Sequence, residues 1–248
     1  MASVIERVVR QALRTFSQQQ KSNLFDENFE KLKAMADQLS AADVKLNIDN
    51  LQAAKPFRCE SPVTYISVYE DACVTISIFI VKSGEKLPLH DHPHMYGILK
   101  VIAGTVKIQS YTAIPNTGAG SPSSRGRLVC EMPRNRTPRA IKMPEVIVSE
   151  NDGACFLTPS ERNLHEIYSV DGPAAFLDIL SPPYDESGER TCHYFKEEND
   201  GAPGLASDEA RLVRIPSPPE YWNDVAKYEG PTVRYLSASQ LPSTYDTG

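Results

Sequence analysis

The sequence predicts an all-β fold, a double-sheet jelly-roll barrel with helices at its N-terminus. After about fifty residues the apolar pattern changes from a helical period to strict alternation. The alternating segments are rich in β-branched residues, and they follow one another at the close spacing that is typical of a sandwich or barrel. The candidate strands are 63–69, 74–81, 95–102, 105–111, 145–149, 154–158, 165–170, 174–180, 192–196 and 211–215.

Residues 1–50 are predicted to form a helical segment packed on the barrel. In 2–16 the apolar side chains fall near one helical face with three arginines among them, and a second amphipathic segment follows at about 27–40. A basic amphipathic N-terminus can also be a mitochondrial transit peptide. The second segment favours a docked helical pair, so we expect a cytoplasmic rather than a mitochondrial protein.

Residues 51–248 are predicted to form the barrel itself, with two departures from the strand pattern. Segment 112–143 contains Pro, Gly, Ser and Arg with little periodicity, which predicts a long loop inserted between strands. The tail from residue 197 onward is acidic and Pro-rich but contains Tyr221 and Trp222. Those aromatic residues predict that the tail wraps the barrel.

Composition excludes several classes of protein. The 248 residues carry a net charge of −6, which disfavours nucleic acid and anionic lipid as partners. The longest apolar run is far below the roughly 20 residues of a membrane span. The five cysteines include no CxxC pair, which indicates a reducing compartment and argues against a disulfide framework or a thiolate zinc site. No exposed apolar face is evident, so we expect a monomer.

Three histidines form the candidate metal site. His90 and His92 are two residues apart, so along a strand their side chains point to the same face. His165 lies 73 residues after His92, at the start of another predicted strand, and can supply a third imidazole. Imidazole suits Fe, Zn, Cu and Ni. An HxH pair can also be two surface residues, so the pair alone is a weak signal.

The other two histidines of the chain are weaker candidates for metal ligands. His94 is a rival third ligand, but Pro93 is expected to turn the chain between His92 and His94. His193 has no partner at a ligand-like spacing. We interpret it as a packed or supporting residue.

The glycines around the histidine pair add a family-level signal. Gly104 is expected to be a turn glycine between two strands. A resemblance to the first cupin motif is found in the run Gly84-x5-His90-x-His92-x4-Gly97-x6-Gly104. The second cupin motif is matched in part by Gly153-x5-Pro159 with His165. Where this chain has Gly97, the first motif normally has a Glu.

The missing Glu is chemically informative. Three neutral imidazoles leave a divalent ion with its full charge, whereas two histidines and one carboxylate neutralise part of it. A residual positive centre favours an anionic ligand such as a thiolate.

Four blocks of the sequence, 87–108, 157–167, 172–185 and 192–195, resemble the animal 2-aminoethanethiol (cysteamine) dioxygenases. Those enzymes are related to the plant cysteine oxidases, which act on protein N-terminal cysteine. The resemblance implies an iron(II) enzyme of the cupin type that uses O₂ to oxidise a thiol to a sulfinic acid. It implies cysteamine and N-terminal cysteine as substrates, oxygen sensing through N-terminal-Cys degradation, and His90, His92 and His165 as the ligands.

Four further residues are candidates for the catalytic site. Asp178 lies in an apolar strand, where a carboxylate needs a partner, either a ligand histidine, the substrate ammonium or a structural hydrogen bond. Tyr184 follows a Pro-Pro bend that can aim its hydroxyl at the site. Cys192 and Tyr194 are two apart and resemble the position at which some thiol dioxygenases join a Cys and a Tyr covalently. The alternative is an ordinary buried Cys beside a core Tyr.

Two other functions stay open at this point. One is a metal-dependent cupin enzyme that acts on a non-thiol substrate, and the other is a non-catalytic cupin binding module with a structural metal. The sequence also does not decide between a free small thiol and a peptide N-terminus.

Overall fold

A computed structural model describes residues 2–17, 24–47, 61–114, 139–185, 188–198 and 208–233. The helical elements are α1 (Val4–Ser17), α2 (Phe25–Ala36) and a 3₁₀ turn (Ala41–Val44). The strands are β1 (Val63–Glu70), β2 (Thr75–Val81), β3 (Lys86–Asp91), β4 (Tyr96–Ala113), β5 (Arg139–Lys142), β6 (Val146–Ser149), β7 (Cys155–Leu157), β8 (Leu164–Ser181), β9 (Tyr194–Glu197), β10 (Glu209–Ile215) and β11 (Asn223–Val225).

Two long strands, β4 and β8, organise the barrel. They pair antiparallel from Tyr96 opposite Ser181 to Tyr111 opposite Leu164. The second half of β8 also pairs with β2, and its first half pairs with β3. Strands β9, β10 and β5 close the ring between β3 and β4. The predicted jelly-roll barrel of the cupin type, with N-terminal helices, is confirmed.

The division of β4 and β8 into two strands each is wrong. Gly104 is not a hairpin turn: it lies inside β4 at φ +71, where the pairing with β8 shifts register. A Cβ at this position would approach the Pro173 carbonyl oxygen to 2.5 Å, so the two strands come too close for any larger residue. Gly172 bends β8 opposite this point with φ +138.

Three short strands are missing from the sequence-based set: β3, β5 and β11. Residues 112–113 belong to β4 and 139–142 form β5, so the predicted loop 112–143 is too wide at both ends. Its middle, 115–138, lies outside the described residues. In the tail, β11 pairs in parallel with β1, and Tyr221 packs against the barrel core. The predicted division at residue 50 falls between described ranges and stays a prediction.

The N-terminal helices pack on one face of the barrel. The inward face of α1 is fully buried at Ile5, Val8 and Leu13, in one cluster with residues of β1, β2, β4 and β8. Phe16 and Tyr96 bring their rings to 6.5 Å across this contact. Within the described ranges, the helices lack the length and continuous apolar composition of a membrane-spanning segment.

Candidate metal centre

The three predicted histidines converge inside the barrel. His90 lies near the end of β3 directly opposite His165 of β8, and His92 follows on the same side of the chain. The ring centroids are 4.7 to 4.8 Å apart, and one ligand nitrogen from each ring lies within 4.8 Å of the others. All three side chains are buried. No carboxylate of the described residues joins this cluster.

Hydrogen bonds on the outer side of the rings leave the inner nitrogens free. His90 Nδ1 lies 2.8 Å from the Pro88 carbonyl oxygen, to which it can only donate. The Tyr184 hydroxyl donates to the Asp91 carbonyl oxygen at 2.8 Å, so it accepts from His92 Nδ1 at 2.8 Å. The Nε2 atoms of His90 and His92 therefore carry lone pairs.

The electrostatics of the cluster favour neutral rings. Burial lowers the pKa of His90, and burial together with the neighbouring rings lowers the pKa of His92 and of His165 well below the ordinary value. His92 Nε2 and His165 Nε2 lie 3.1 Å apart. Neutral imidazoles with convergent lone pairs are what a divalent transition metal requires. The donor set therefore fits a metal ion such as iron.

Gly97 explains why no Glu completes the cluster. It lies in β4 opposite Leu157 of β7, and a Cβ there would meet Leu157 Cγ at 2.8 Å and Leu180 Cδ2 at 3.0 Å. Packing of these two leucines therefore leaves no room for a larger side chain at this position.

Asp178 is buried in β8 between Ser77 of β2 and Leu99 of β4. Its carboxylate has no hydrogen-bond partner among the described residues, and burial raises the pKa of this group to about 7. Asp178 and His165 line one cavity, together with residues of β4 and β7.

Cys192, Tyr184 and Tyr194 form a second group beside the histidines. The Cys192 thiol shares hydrogen bonds with the hydroxyls of Tyr184 and Tyr194, and burial raises its pKa to about 12. Burial and the neighbouring Cys192 also raise the pKa of Tyr194 to about 12. The structure thus brings these three predicted residues together.

Asp91 is a supporting residue that the sequence reasoning missed. Its Oδ1 accepts from the His193 backbone N–H at 2.7 Å, and its Oδ2 lies 3.0 Å from His193 Nδ1. The Asp91 N–H donates to the His193 carbonyl oxygen at 3.1 Å. Because side chains alternate along a strand, an Asp between two ligand histidines must point away from them, and this was the available signal.

The remaining histidines take the places expected of them. His193 is the supporting residue tied to Asp91. His94 follows Pro93 at φ +59 and is not part of the cluster of converging rings.

Comparison with known proteins decides the family. The PCO_ADO family profile matches residues 35–233. The chain belongs to the PCO_ADO family. The mouse 2-aminoethanethiol dioxygenase is 40% identical, over 94% of this chain and 97% of its own length. The human 2-aminoethanethiol dioxygenase is 36% identical over the same shares.

A more distant relative extends this picture to plants. Plant cysteine oxidase 2 of Arabidopsis thaliana is 26% identical to this PCO_ADO member, over 84% of this chain and 75% of the plant protein. The resemblance that the sequence analysis found is confirmed, and so is the predicted enzyme class, a thiol dioxygenase.

Proposed function

We propose that the protein is an iron(II)-dependent dioxygenase that oxidises cysteamine and the N-terminal cysteine of proteins or peptides to sulfinic acids. The observation that carries the proposal is a cluster of three neutral imidazoles without a carboxylate, which opens on a cavity holding an unpaired acid. The names of the mouse, human and plant relatives support the choice of substrates.

His90, His92 and His165 are proposed to hold the iron. Once bound there, iron(II) supplies the redox chemistry that transfers both atoms of O₂ to the substrate sulfur. The balance is one thiol and one O₂ giving one sulfinic acid, with two sulfur–oxygen bonds formed and the oxygen–oxygen bond broken.

Asp178 is proposed to accept the substrate ammonium. Both proposed substrates carry a free amine two carbons from sulfur, so one acceptor in the cavity can orient either of them. A buried carboxylate without a partner is unstable, and an ammonium would supply the missing partner and favour the ionised form. The pairing therefore selects amine-bearing thiols.

Tyr184 is proposed to orient His92, since its hydroxyl bridges the His92 ring and the Asp91 carbonyl. Arg190 supports the bend that carries Tyr184 by donating to the Pro183 carbonyl oxygen at 2.9 Å. The Cys192 thiol and the Tyr194 hydroxyl interact, and the proposed covalent link joins the Cys192 sulfur to a ring carbon of Tyr194. Its formation breaks the S–H bond and one ring C–H bond, and the two hydrogens reduce O₂ to hydrogen peroxide. Mass spectrometry should find the peptide that contains both residues lighter by the mass of two hydrogen atoms, and the unmodified mass would indicate an ordinary contact.

The biological setting is proposed from the same chemistry. Consumption of O₂ at an N-terminal cysteine would couple the stability of such proteins to oxygen, which is an oxygen-sensing and hypoxia-response role. The cysteines of the described residues are free thiols, which supports a reducing compartment such as the cytoplasm. We propose a monomer that binds neither nucleic acid nor membranes.

The test is oxygen uptake by the purified protein loaded with Fe(II). Cysteamine should give hypotaurine, a Cys-initiated peptide should give its sulfinic acid, and His165→Ala should abolish both. Absence of uptake with both thiols contradicts the proposal. Zn or Mn instead of Fe in protein from cells would favour a cupin enzyme with a non-thiol substrate.

A further inference from the structure

Arg162 is a charged residue of the site cavity that the proposed reaction does not use. It lies between β7 and β8, three residues before His165 in the chain. Its side chain lines the same cavity as His165 and Asp178. Its guanidinium is positively charged, whereas Asp178 is an acidic residue of the same cavity. A charged group at this position requires either a ligand or a structural partner.

The backbone of Arg162 is held in a conformation that L-residues rarely adopt. Its φ is +55, and its N–H donates to Thr112 Oγ1 at 3.0 Å. The next residue, Asn163, is fixed as well, because its Oδ1 accepts from the Ala113 N–H at 3.2 Å. A non-Gly residue kept in the left-handed region by its surroundings is typical of functional sites.

The side chain is positioned but not satisfied. The guanidinium lies over the Phe156 ring, 5.4 Å from its centroid, and Phe156 lines the same cavity. Its Nε is buried and has no hydrogen-bond partner, and Glu161 Oε1 lies 3.9 Å away, beyond hydrogen-bond distance. The side chain as a whole is 39% exposed, so the group is accessible to a ligand.

We propose that Arg162 is a specificity-determining residue that binds the carbonyl oxygen of a substrate's N-terminal cysteine. This rests on the proposed function. The histidine cluster and Asp178 account for the sulfur and the amine of the substrate, and cysteamine has nothing further. A peptide adds a carbonyl to the amine-bearing carbon, and the guanidinium offers it a planar, charged donor in the same cavity. Arg162 therefore makes the enzyme prefer a peptide N-terminus.

The experiment measures one ratio, kcat/KM for a Cys-initiated peptide divided by kcat/KM for cysteamine. Arg162→Met keeps an unbranched, flexible side chain beside Phe156 but removes the charge and the donors. It should lower the ratio about 10-fold or more, because a hydrogen bond from a charged group is lost. Arg162→Lys, which keeps the charge, should retain part of the preference. The matched control is Arg10→Met in α1, where Arg10 pairs with Glu6 on the surface, and the ratio should not change.

Further measurements separate an effect of the substitution on substrate choice from an effect on folding. An unchanged ratio in Arg162→Met overturns the inference, and so does a loss confined to free L-cysteine, which would indicate a carboxylate site instead. If Arg162→Met does not give a cooperative thermal transition, Arg162→Gln replaces it.

A binding measurement keeps this inference distinct from the proposed function. Calorimetry under argon gives the Kd of the Cys-initiated peptide for the iron-loaded protein without turnover. Weaker binding to Arg162→Met than to the parent, by a similar factor, supports the inference even if neither thiol is oxidised. Equal binding to both proteins overturns it, whatever the parent enzyme oxidises.

Discussion

Two buried aspartates of this site have different roles because their partners differ. Burial raises the pKa of Asp91, but hydrogen bonds from His193 act in the opposite direction and favour its carboxylate. Asp178 has no such donors, and burial alone raises its pKa to about 7. Asp91 thus stabilises the contact between β3 and the segment around His193, while the environment of Asp178 supports its proposed role as acceptor of a cationic ligand.

Asp178→Asn should lower activity and raise stability. The amide keeps the shape but not the charge, so kcat/KM for cysteamine should fall about 10- to 100-fold with the lost ammonium partner. The folded-state pKa of about 7 lies above the ordinary value of 3.8. As pH rises between these values, Asp178 ionises in the unfolded chain but stays protonated in the folded protein, so the free energy of unfolding falls and reaches its full loss above them. The variant should therefore gain up to roughly 4 kcal/mol at about pH 8.

Urea unfolding of parent and variant at about pH 4 and about pH 8 checks this prediction. The difference in unfolding free energy should be close to zero at the lower pH, grow as pH rises from 3.8 towards about 7, and stay constant above that. A variant that is less stable at every pH would mean that Asp178 makes a structural hydrogen bond, and normal cysteamine kinetics would remove its proposed role.

Tyr184→Phe should weaken metal binding with little effect on the barrel. The change removes the hydroxyl that accepts from His92 Nδ1 and fixes its ring. Loss of such an outer partner typically lowers metal affinity about 10- to 100-fold. The matched control is Tyr228→Phe, because the Tyr228 hydroxyl is buried without a hydrogen-bond partner. Competitive chelator titration should separate the two variants, and equal affinities would contradict the assigned role.

At the level of elements, alternation predicted some strands closely and missed others for identifiable reasons. β1 and β2 were predicted within one residue of their ends because both segments are rich in β-branched and aromatic residues. β4 and β8 were divided in the prediction because Gly104 and Gly172, which bend continuous strands, have the same sequence signature as turns. The four residues of β5 are too few to establish a period.

Some residues of the candidate site could likewise be predicted from the sequence, and others could not. His90, His92 and His165 could be predicted because ligand spacing follows directly from strand geometry. The role of Arg162 could not, since it depends on Phe156 and Thr112 being brought together by different strands. Contacts between distant segments have no local pattern that a single sequence displays.

Gly97→Ala should disturb the contact between β4 and β7. The new methyl group would lie 2.8 Å from Leu157 Cγ, so Leu157 must move within a packed region. Overpacking of this kind typically destabilises by about 1–3 kcal/mol. Gly153→Ala is the matched control, because its methyl group would meet Asp37 Oδ1 at an ordinary 3.5 Å. Thermal unfolding should separate the two variants, and equal melting temperatures would show that Leu157 adapts freely.

At the level of the whole molecule, the metal centre and the apolar core are separate sources of order. One cluster of buried residues joins the N-terminal helices to the barrel, and a second joins residues of β1, β2, β3, β4, β6 and β8. Leu87 of β3 and Ile167 of β8 belong to this second cluster, and these two strands carry His90 and His165. The strands that position the histidines are therefore packed by apolar contacts that need no ion.

Removal of the metal should therefore leave a folded protein. A bound ion stabilises the native state by mass action, so chelation should lower the melting temperature of the loaded enzyme. The metal-free protein should keep its strand signal in circular dichroism and unfold cooperatively, and His165→Ala should behave like it with lost turnover. A structural metal predicts the opposite, because binding energy is then folding energy and the chelated chain unfolds. An unfolded metal-free protein would thus favour a binding module over an enzyme with a pre-formed site.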